Sequence, residues 1–495
     1  MIRRAVPRER PDDVVGNVFI GPLTRLRSPW EFNLFSDALT RRQLLKNSAL
    51  GFGSLALSSL LTQESNADVR KPHFEPKAKR VIFMFMKGGP SAIDTFDPKP
   101  LLDRDHGKPF PGTRPRVTFA KTGTLLKSPW KFKQYGKCGQ PVSELFPHVA
   151  KCVDDICFVH SLHGTNPAHG GAAMKLHTGS DNFVRPSMGA WVAYGLGSEN
   201  ANLPAFVTIC PTLAHGGFNN WGSSFLPAST NGVPIGNASI PVAKAQVRYI
   251  KPGQSADIQR RQLDLLAEMN REHLSRTGPD AALEGRIDAF ELAFRLQSAV
   301  PDVEDISKES EKTKSLYGID DPITENFGRQ CLLARRFAER GVRFVQVTHS
   351  DPKVQWDQHG NLKQGHAEKA LEVDKPIAGL LTDLKARGML HDTLVLWGGE
   401  FGRTPTVEGS ADGRDHNPEG FTVWMAGGGV KPGFRYGATD DYGWFAEKDK
   451  VHVHDLHATM LHLLGMDHER LTFRHAGRDF RLTDVHGRVV KEIIA

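Results

Sequence analysis

Cysteine is scarce. The chain has five in 495 residues and no CxxC pair, which excludes a disulfide-stapled scaffold and zinc-finger spacing. Long apolar runs are missing too: no stretch reaches the roughly 18 residues that a membrane-spanning helix needs. Charge of one sign is not concentrated. Lys and Arg number 63 against 56 Asp and Glu, a net +7 with no basic stripe, so nothing points to a nucleic-acid partner. Hydrophobic residues make up 39% and charged residues 24%, which excludes a mostly disordered chain. The length suits one large α/β domain with an insertion, or two domains. Histidine and glycine are what the chain has in quantity, 21 and 48, many of them in short clusters.

The amino terminus reads as an address. Thr40-Arg41-Arg42-Gln43-Leu44-Leu45-Lys46 precedes a modest apolar stretch at 48–61, followed by Ser65-Asn66-Ala67. This resembles a twin-arginine export signal with a long n-region. Residues 1–67 are therefore expected to be removed. The mature protein, 68–495, is expected in the periplasm or outside the cell, with the twin-arginine translocation machinery as a partner. In that oxidising compartment Cys138, Cys152, Cys157, Cys210 and Cys331 allow at most two bridges, and buried free thiols are the plainer expectation.

Along the mature chain, apolar runs at 81–86, 154–161, 205–210, 342–347, 393–397 and 421–426 read as strands. Helices are expected at 188–196, 329–341, 366–388 and 454–464, two of them stopped by Gly. Residues 256–320 are charged and helical in pattern, and read as an insertion. Strands alternating with helices imply a three-layer α/β/α sandwich with a mostly parallel sheet. Ligands in such sheets lie beyond the carboxyl ends of the strands, so the polar residues after each strand are the candidates.

Those residues are Asp, Glu, His and Arg. Ser91 and Asp94 follow the first strand, His163, Asn166 and His169 the second, and Asp357 and His359 the strand at 342–347. Glu400 and Arg403 follow 393–397, and Arg414, Asp415 and His416 precede 421–426. The mixture suits Zn²⁺ or a harder divalent ion such as Mn²⁺, Mg²⁺ or Ca²⁺. Arg403 or Arg414 is suited to hold an anionic group in bidentate fashion. His163, Asn166 and His169 are candidates for substrate contact. The same residues also permit an Arg–carboxylate–His network that ties loops together. The histidines at 452, 454, 457 and 462 fit capping and packing of the last helix better than ligation.

GGPSAIDTFDPKP (88–100), HGTNPAH (163–169), WDQHGN (356–361), LWGGEFGRTP (396–405), GRDHNP (413–418) and HDLHATMLHLLG (454–465) together resemble one family. It is the twin-arginine-exported domain-of-unknown-function family 1501, within the alkaline phosphatase-like, sulfatase-like superfamily. The resemblance runs from about residue 77 to the C-terminus. It implies a site for two divalent metals and a hydroxyl nucleophile after the first strand, acting on sulfate or phosphate esters of small molecules or polysaccharides. By motif position Ser91 resembles the nucleophile. Asp357 with His359, then Glu400, then His416 with Asp415 resemble the ligands, and Asp94 is the carboxylate nearest Ser91. Three departures imply either that one of the two metals is missing or that the site is remodelled. Lys87-Gly88-Gly89 stands where the superfamily places an Asp, Glu400-Phe401 replaces Asp-His, and there is no Cys-x-Pro-x-Arg. The competing expectation is a non-catalytic binding or assembly protein on the same fold, and a phosphomutase-like reaction also fits that fold.

Overall fold

The structure is a computed structural model. It describes residues 70–113, 121–245, 254–278, 280–349, 355–409 and 412–495. The Arg41–Arg42 segment lies outside the described residues.

The core is a nine-stranded sheet. Eight strands follow one path, in the order Phe434–Tyr436, Ile156–His163, Phe421–Ala426, Thr393–Gly398, Arg80–Met86, Phe344–His349, Phe206–Ile209, Val233–Ile235. The ninth, Val451–His452, pairs beside Ile156–His163. The run VIFMFM is uninterrupted because both faces of its strand are covered. Ile82, Met84 and Met86 pack into one core with helices Glu325–Glu339 and Leu362–Ala386. Val81, Phe83 and Phe85 pack into a second core with helices His169–Thr178, Met188–Leu196 and Val453–Leu463. These are the two outer layers of an α/β/α sandwich. At about 25 cal/mol per Å² of apolar surface, burial of this kind is the main term holding the sheet together.

Residues 256–304 form two long helices, Ala256–Thr277 and Ala281–Glu304, followed by a short one, Glu311–Leu316. Leu296, Val300 and Val303 join the first core, so this segment packs against the sandwich. Among the described residues no helix is long and apolar enough to cross a membrane. All five cysteines are free, and Cys157, Cys210 and Cys331 are buried.

One strand departs from simple α/β alternation. Phe421–Ala426 runs antiparallel to both its neighbours. It is reached through a hairpin, Gly402–Glu408 with Arg414–Asn417, in which Arg403 pairs with His416. The reversal has a functional result. Residues preceding Phe421 lie at the same edge of the sheet as residues following Met86, His349, Gly398 and His163.

Candidate metal centre at the strand ends

Asp357 is the hub. Its Oδ1 lies 2.9 Å from His359 Nε2 and 3.0 Å from His416 Nε2, and its Oδ2 lies 3.0 Å from His169 Nε2. Arg403 Nη2 reaches Oδ1 from another side at 2.6 Å. Trp356, fully buried, fixes the preceding residue by donating its indole N–H to His349 Nδ1 at 3.0 Å. His349 spends its other ring nitrogen on Glu372 and so buttresses the site from outside. Gly88 is required by close approach: φ is +108°, and a Cβ there would stand 2.8 Å from the backbone nitrogens of Trp356 and Asp357.

Each imidazole is oriented through its second nitrogen. His169, first residue of helix His169–Thr178, places Nδ1 2.7 Å from Glu400 Oε1. Glu400 is itself held by the Gly88 amide at 3.0 and 3.1 Å. His359 Nδ1 contacts Glu408. His416 Nδ1 bonds the Pro167 carbonyl at 2.7 Å. The three Nε2 atoms and Asp357 therefore converge, with all ligand-type atoms within 4.8 Å of one another.

The donor chemistry fits a cation. A carbonyl only accepts, so His416 Nδ1 carries the hydrogen, and in the neutral ring Nε2 presents a lone pair to a carboxylate oxygen. Burial, together with the charges of Arg403 and His169, pulls His416 down to about 4, so the ring is neutral near pH 7. Two acceptors 3.0 Å apart repel unless a positive ion lies between them. His169 Nε2 is buried with no hydrogen-bond partner, because its approach to Asp357 is close in distance but poor in angle. Ligands around a tetrahedral Zn²⁺ stand roughly 3.4 Å apart, near the spacing seen here. Imidazoles whose far nitrogens donate to carboxylates or carbonyls are the usual second layer of such sites.

The carboxylates act on the rings as they would on a cation. The hydrogen bond to Asp357 raises His359, and against burial Asp357 and Glu400 raise His169, so without a metal these two rings favour the charged form. Burial would raise Asp357, but the three imidazoles and Arg403 hold it well below the usual carboxylate range. Burial would likewise raise Glu400, and the bonds from His169 and from backbone amides bring it below its ordinary value. Arg403 occupies one side of Asp357 only. Its remaining donors go to the carbonyls of Gly88, Gly89 and Arg414, which leaves the imidazole side open.

Several candidates lie elsewhere. The Ser91 hydroxyl donates to Asp94 Oδ2 at 2.5 Å, and the Ser91 amide donates to His366 Nε2 at 3.0 Å. Asp94 in turn receives Arg414 Nε at 2.7 Å and Nη2 at 3.2 Å. All three side chains are fully buried, so Ser91 as nucleophile, Asp94 as ligand and Arg414 as substrate clamp are corrected to a closed ion pair. His163 packs edge-on against His452, 5.1 Å between centroids, and is apart from the cluster. Asn166 accepts the Ala168 amide at 2.9 Å just before helix His169–Thr178, a turn role. His169 joins the ligand-type set itself. Asp415 accepts the His416 amide at 2.8 Å and belongs to a neighbouring group with His359 and Glu408. His452 caps the last helix, and His454 and His457 bond backbone carbonyls, as packing residues do.

Three residues near the cluster were not expected. Glu408 orients His359. His215, in the loop after Phe206–Ile209, stacks flat on His169 with centroids 4.6 Å apart. Lys87 follows the central strand directly. The rule that ligands lie beyond strand ends applies to His215 and Lys87, whereas Glu408 becomes legible only once the hairpin is known.

Fold and site define a three-layer α/β/α protein with a histidine–aspartate cluster able to hold a metal ion at its strand ends. The chain belongs to the DUF1501 family, described as a protein of unknown function, whose model matches residues 78–494. No curated relative matches the chain. Among solved structures it is similar to Ps i-CgsB, in complex with k-i-k-neocarrahexaose, at 11% identity, covering 80% of this chain and 73% of that one, TM-score 0.35. It is similar to the PsFucS1 sulfatase from Pseudoalteromonas sp. at 13% identity, covering 80% and 68%, TM-score 0.32. It is also similar to alkaline phosphatase from the Antarctic bacterium TAB5 at 9% identity, covering 79% and 99%, TM-score 0.32.

Proposed function

We propose that this chain is an exported hydrolase of sulfate or phosphate esters that works with a divalent metal held by His169, Asp357, His359 and His416. The observation that carries the reading is the convergence of three Nε2 atoms on one carboxylate, each ring fixed from behind by Glu400, Glu408 or the Pro167 carbonyl. A cation there supplies Lewis acidity toward a sulfuryl or phosphoryl oxygen. The chain does the rest. Glu400 and Glu408 hold two imidazoles in their tautomers, and Arg403 keeps Asp357 from rotating. Asp357 and His359 keep side-chain exposures of 24% and 35%, so a substrate group can reach them. With the Ser91 hydroxyl sealed against Asp94, water is the attacking group in this reading.

Elemental analysis of the gently purified protein is expected to give stoichiometric divalent metal. His416→Ala is expected to lose it, and a panel of aryl and saccharide sulfates and phosphates is expected to reveal one preferred ester class. A wild type without metal or turnover would favour the second reading, a non-catalytic binding protein, which draws on the sealed Ser91 and the fully engaged Arg403. Export is part of the proposal and rests on the Arg41-Arg42 motif. Replacing both by Lys keeps charge but removes guanidinium geometry, and is expected to hold the precursor in the cytoplasm. Normal accumulation outside the cytoplasm would refute that.

A further inference from the structure

Both arginines that the sequence offers as anion clamps are consumed. Arg403 gives Nε to the Gly89 carbonyl at 3.0 Å, Nη1 to the Arg414 carbonyl at 3.1 Å, and Nη2 to Asp357 and the Gly88 carbonyl. Arg414 is spent on Asp94 and on the carbonyls of Thr404 and Leu126. Their side chains are buried, so a tetrahedral oxyanion arriving at the strand ends meets neither of these two guanidinium groups.

Lys87 is placed differently. It is the first residue after the central strand Arg80–Met86. Its carbonyl accepts the Trp356 amide at 3.3 Å, and the next amide, of Gly88, donates to Glu400. The backbone at 87 is thus pinned between the segments that carry Asp357 and Glu400. The residue is only 7% exposed, but among the described residues its ammonium has neither an ion pair nor a hydrogen bond. It is close enough to act on His215, whose pKa is lowered by burial first and then by the charges of His169 and Lys87. His215 lies flat on His169, so it stands between Lys87, whose charge it feels, and the metal-type cluster. The Lys87 Nζ is not among the buried unpartnered atoms, so it keeps contact with solvent, and an incoming anion can reach it without displacing a carboxylate of the described residues.

We propose that Lys87, with His215 beside it, receives the anionic head of the substrate, a tetrahedral oxyanion presented as a sulfate or phosphate ester or as the free ion. This rests on the proposed function for the reaction, but the binding itself can be read without turnover. Inorganic phosphate and inorganic sulfate are titrated separately by calorimetry into the full-length wild type, Lys87→Met and Lys87→Arg, with metal content measured in each. The wild type is expected to bind at least one, and the better binder names the ester class. Lys87→Met is expected to weaken that affinity at least tenfold with metal content unchanged, and Lys87→Arg to recover part of it. A Lys87→Met protein that binds like wild type overturns the proposal, and so does a wild type that binds neither ion. Should Lys87→Met not fold, the wild type still decides. The bound anion must slow acetylation of Lys87, read by peptide mass, and an unprotected Lys87 overturns the assignment. Anion binding through Lys87 in a protein that holds no metal would support this inference while sinking the hydrolase reading.

Discussion

Replacing Asp357 by Asn is expected to empty the metal centre and lower turnover by roughly 10²–10⁴-fold. The estimate follows from the cost of breaking a buried, charge-assisted cluster, about 3–5 kcal/mol, at 1.36 kcal/mol per tenfold. Asn keeps the volume but removes the negative charge on which three imidazoles and Arg403 converge. Its amide nitrogen would also point a donor at one of them. The check is metal stoichiometry beside kcat/KM for the best ester, with circular dichroism to show that the fold persists. Full metal content in Asp357→Asn would show that the histidines alone hold the ion, and would remove Asp357 from the centre of the site.

Asp94→Ala is expected to damage the fold more than the chemistry. It leaves the Arg414 guanidinium buried and half-paired, at a cost of about 3–5 kcal/mol and a fall in Tm of roughly 5 °C or more. Burial would raise the Asp94 pKa, but Arg414 and the Ser91 hydroxyl more than reverse this, so the folded value lies below the unfolded one. Stability from this pair is therefore complete above the unfolded value of about 3.9 and drains away as pH falls through the folded value. Asp94→Ala should flatten that acid limb. Ser91→Ala removes one hydrogen bond to a charged group, about 1.5–3 kcal/mol, and is expected to lower Tm modestly while turnover stays within a few-fold of wild type. A loss of turnover in Ser91→Ala far beyond its loss of stability would restore Ser91 as the attacking group.

Much of the sandwich can be read from the sequence because its strands are buried on both faces and its loops are punctuated by Gly. The run at 81–86 is apolar without a break for that reason. The direction of Phe421–Ala426 was not legible. A buried strand looks the same read either way, and the hairpin that reverses the chain leaves only a short polar signal around Gly413. Within the site, Asp357, His359, Glu400, Arg403 and His416 stand at strand ends and were visible as such. Ser91, Asp94 and Arg414 occupy equivalent positions in sequence, but their side chains turn inward and satisfy one another. Position along the chain does not encode that choice, which depends on what packs behind each loop. The sequence around His169 suggests only a substrate contact, because nothing local shows that its ring reaches both Glu400 and Asp357.

The ligand-type residues come from three separated stretches of chain, beginning with His169 and ending with His416. A cation bound among them acts as a cross-link that closes very long loops, and closing loops of that size removes much of the freedom of the unfolded chain. It also binds the folded state alone, because no fragment brings these residues together, so its affinity adds to stability as RT ln(1 + [L]/Kd). A chelator would then do more than silence the site: it would withdraw a staple that joins His169 to Asp357, His359 and His416, and resistance to heat and to proteases would fall along with activity.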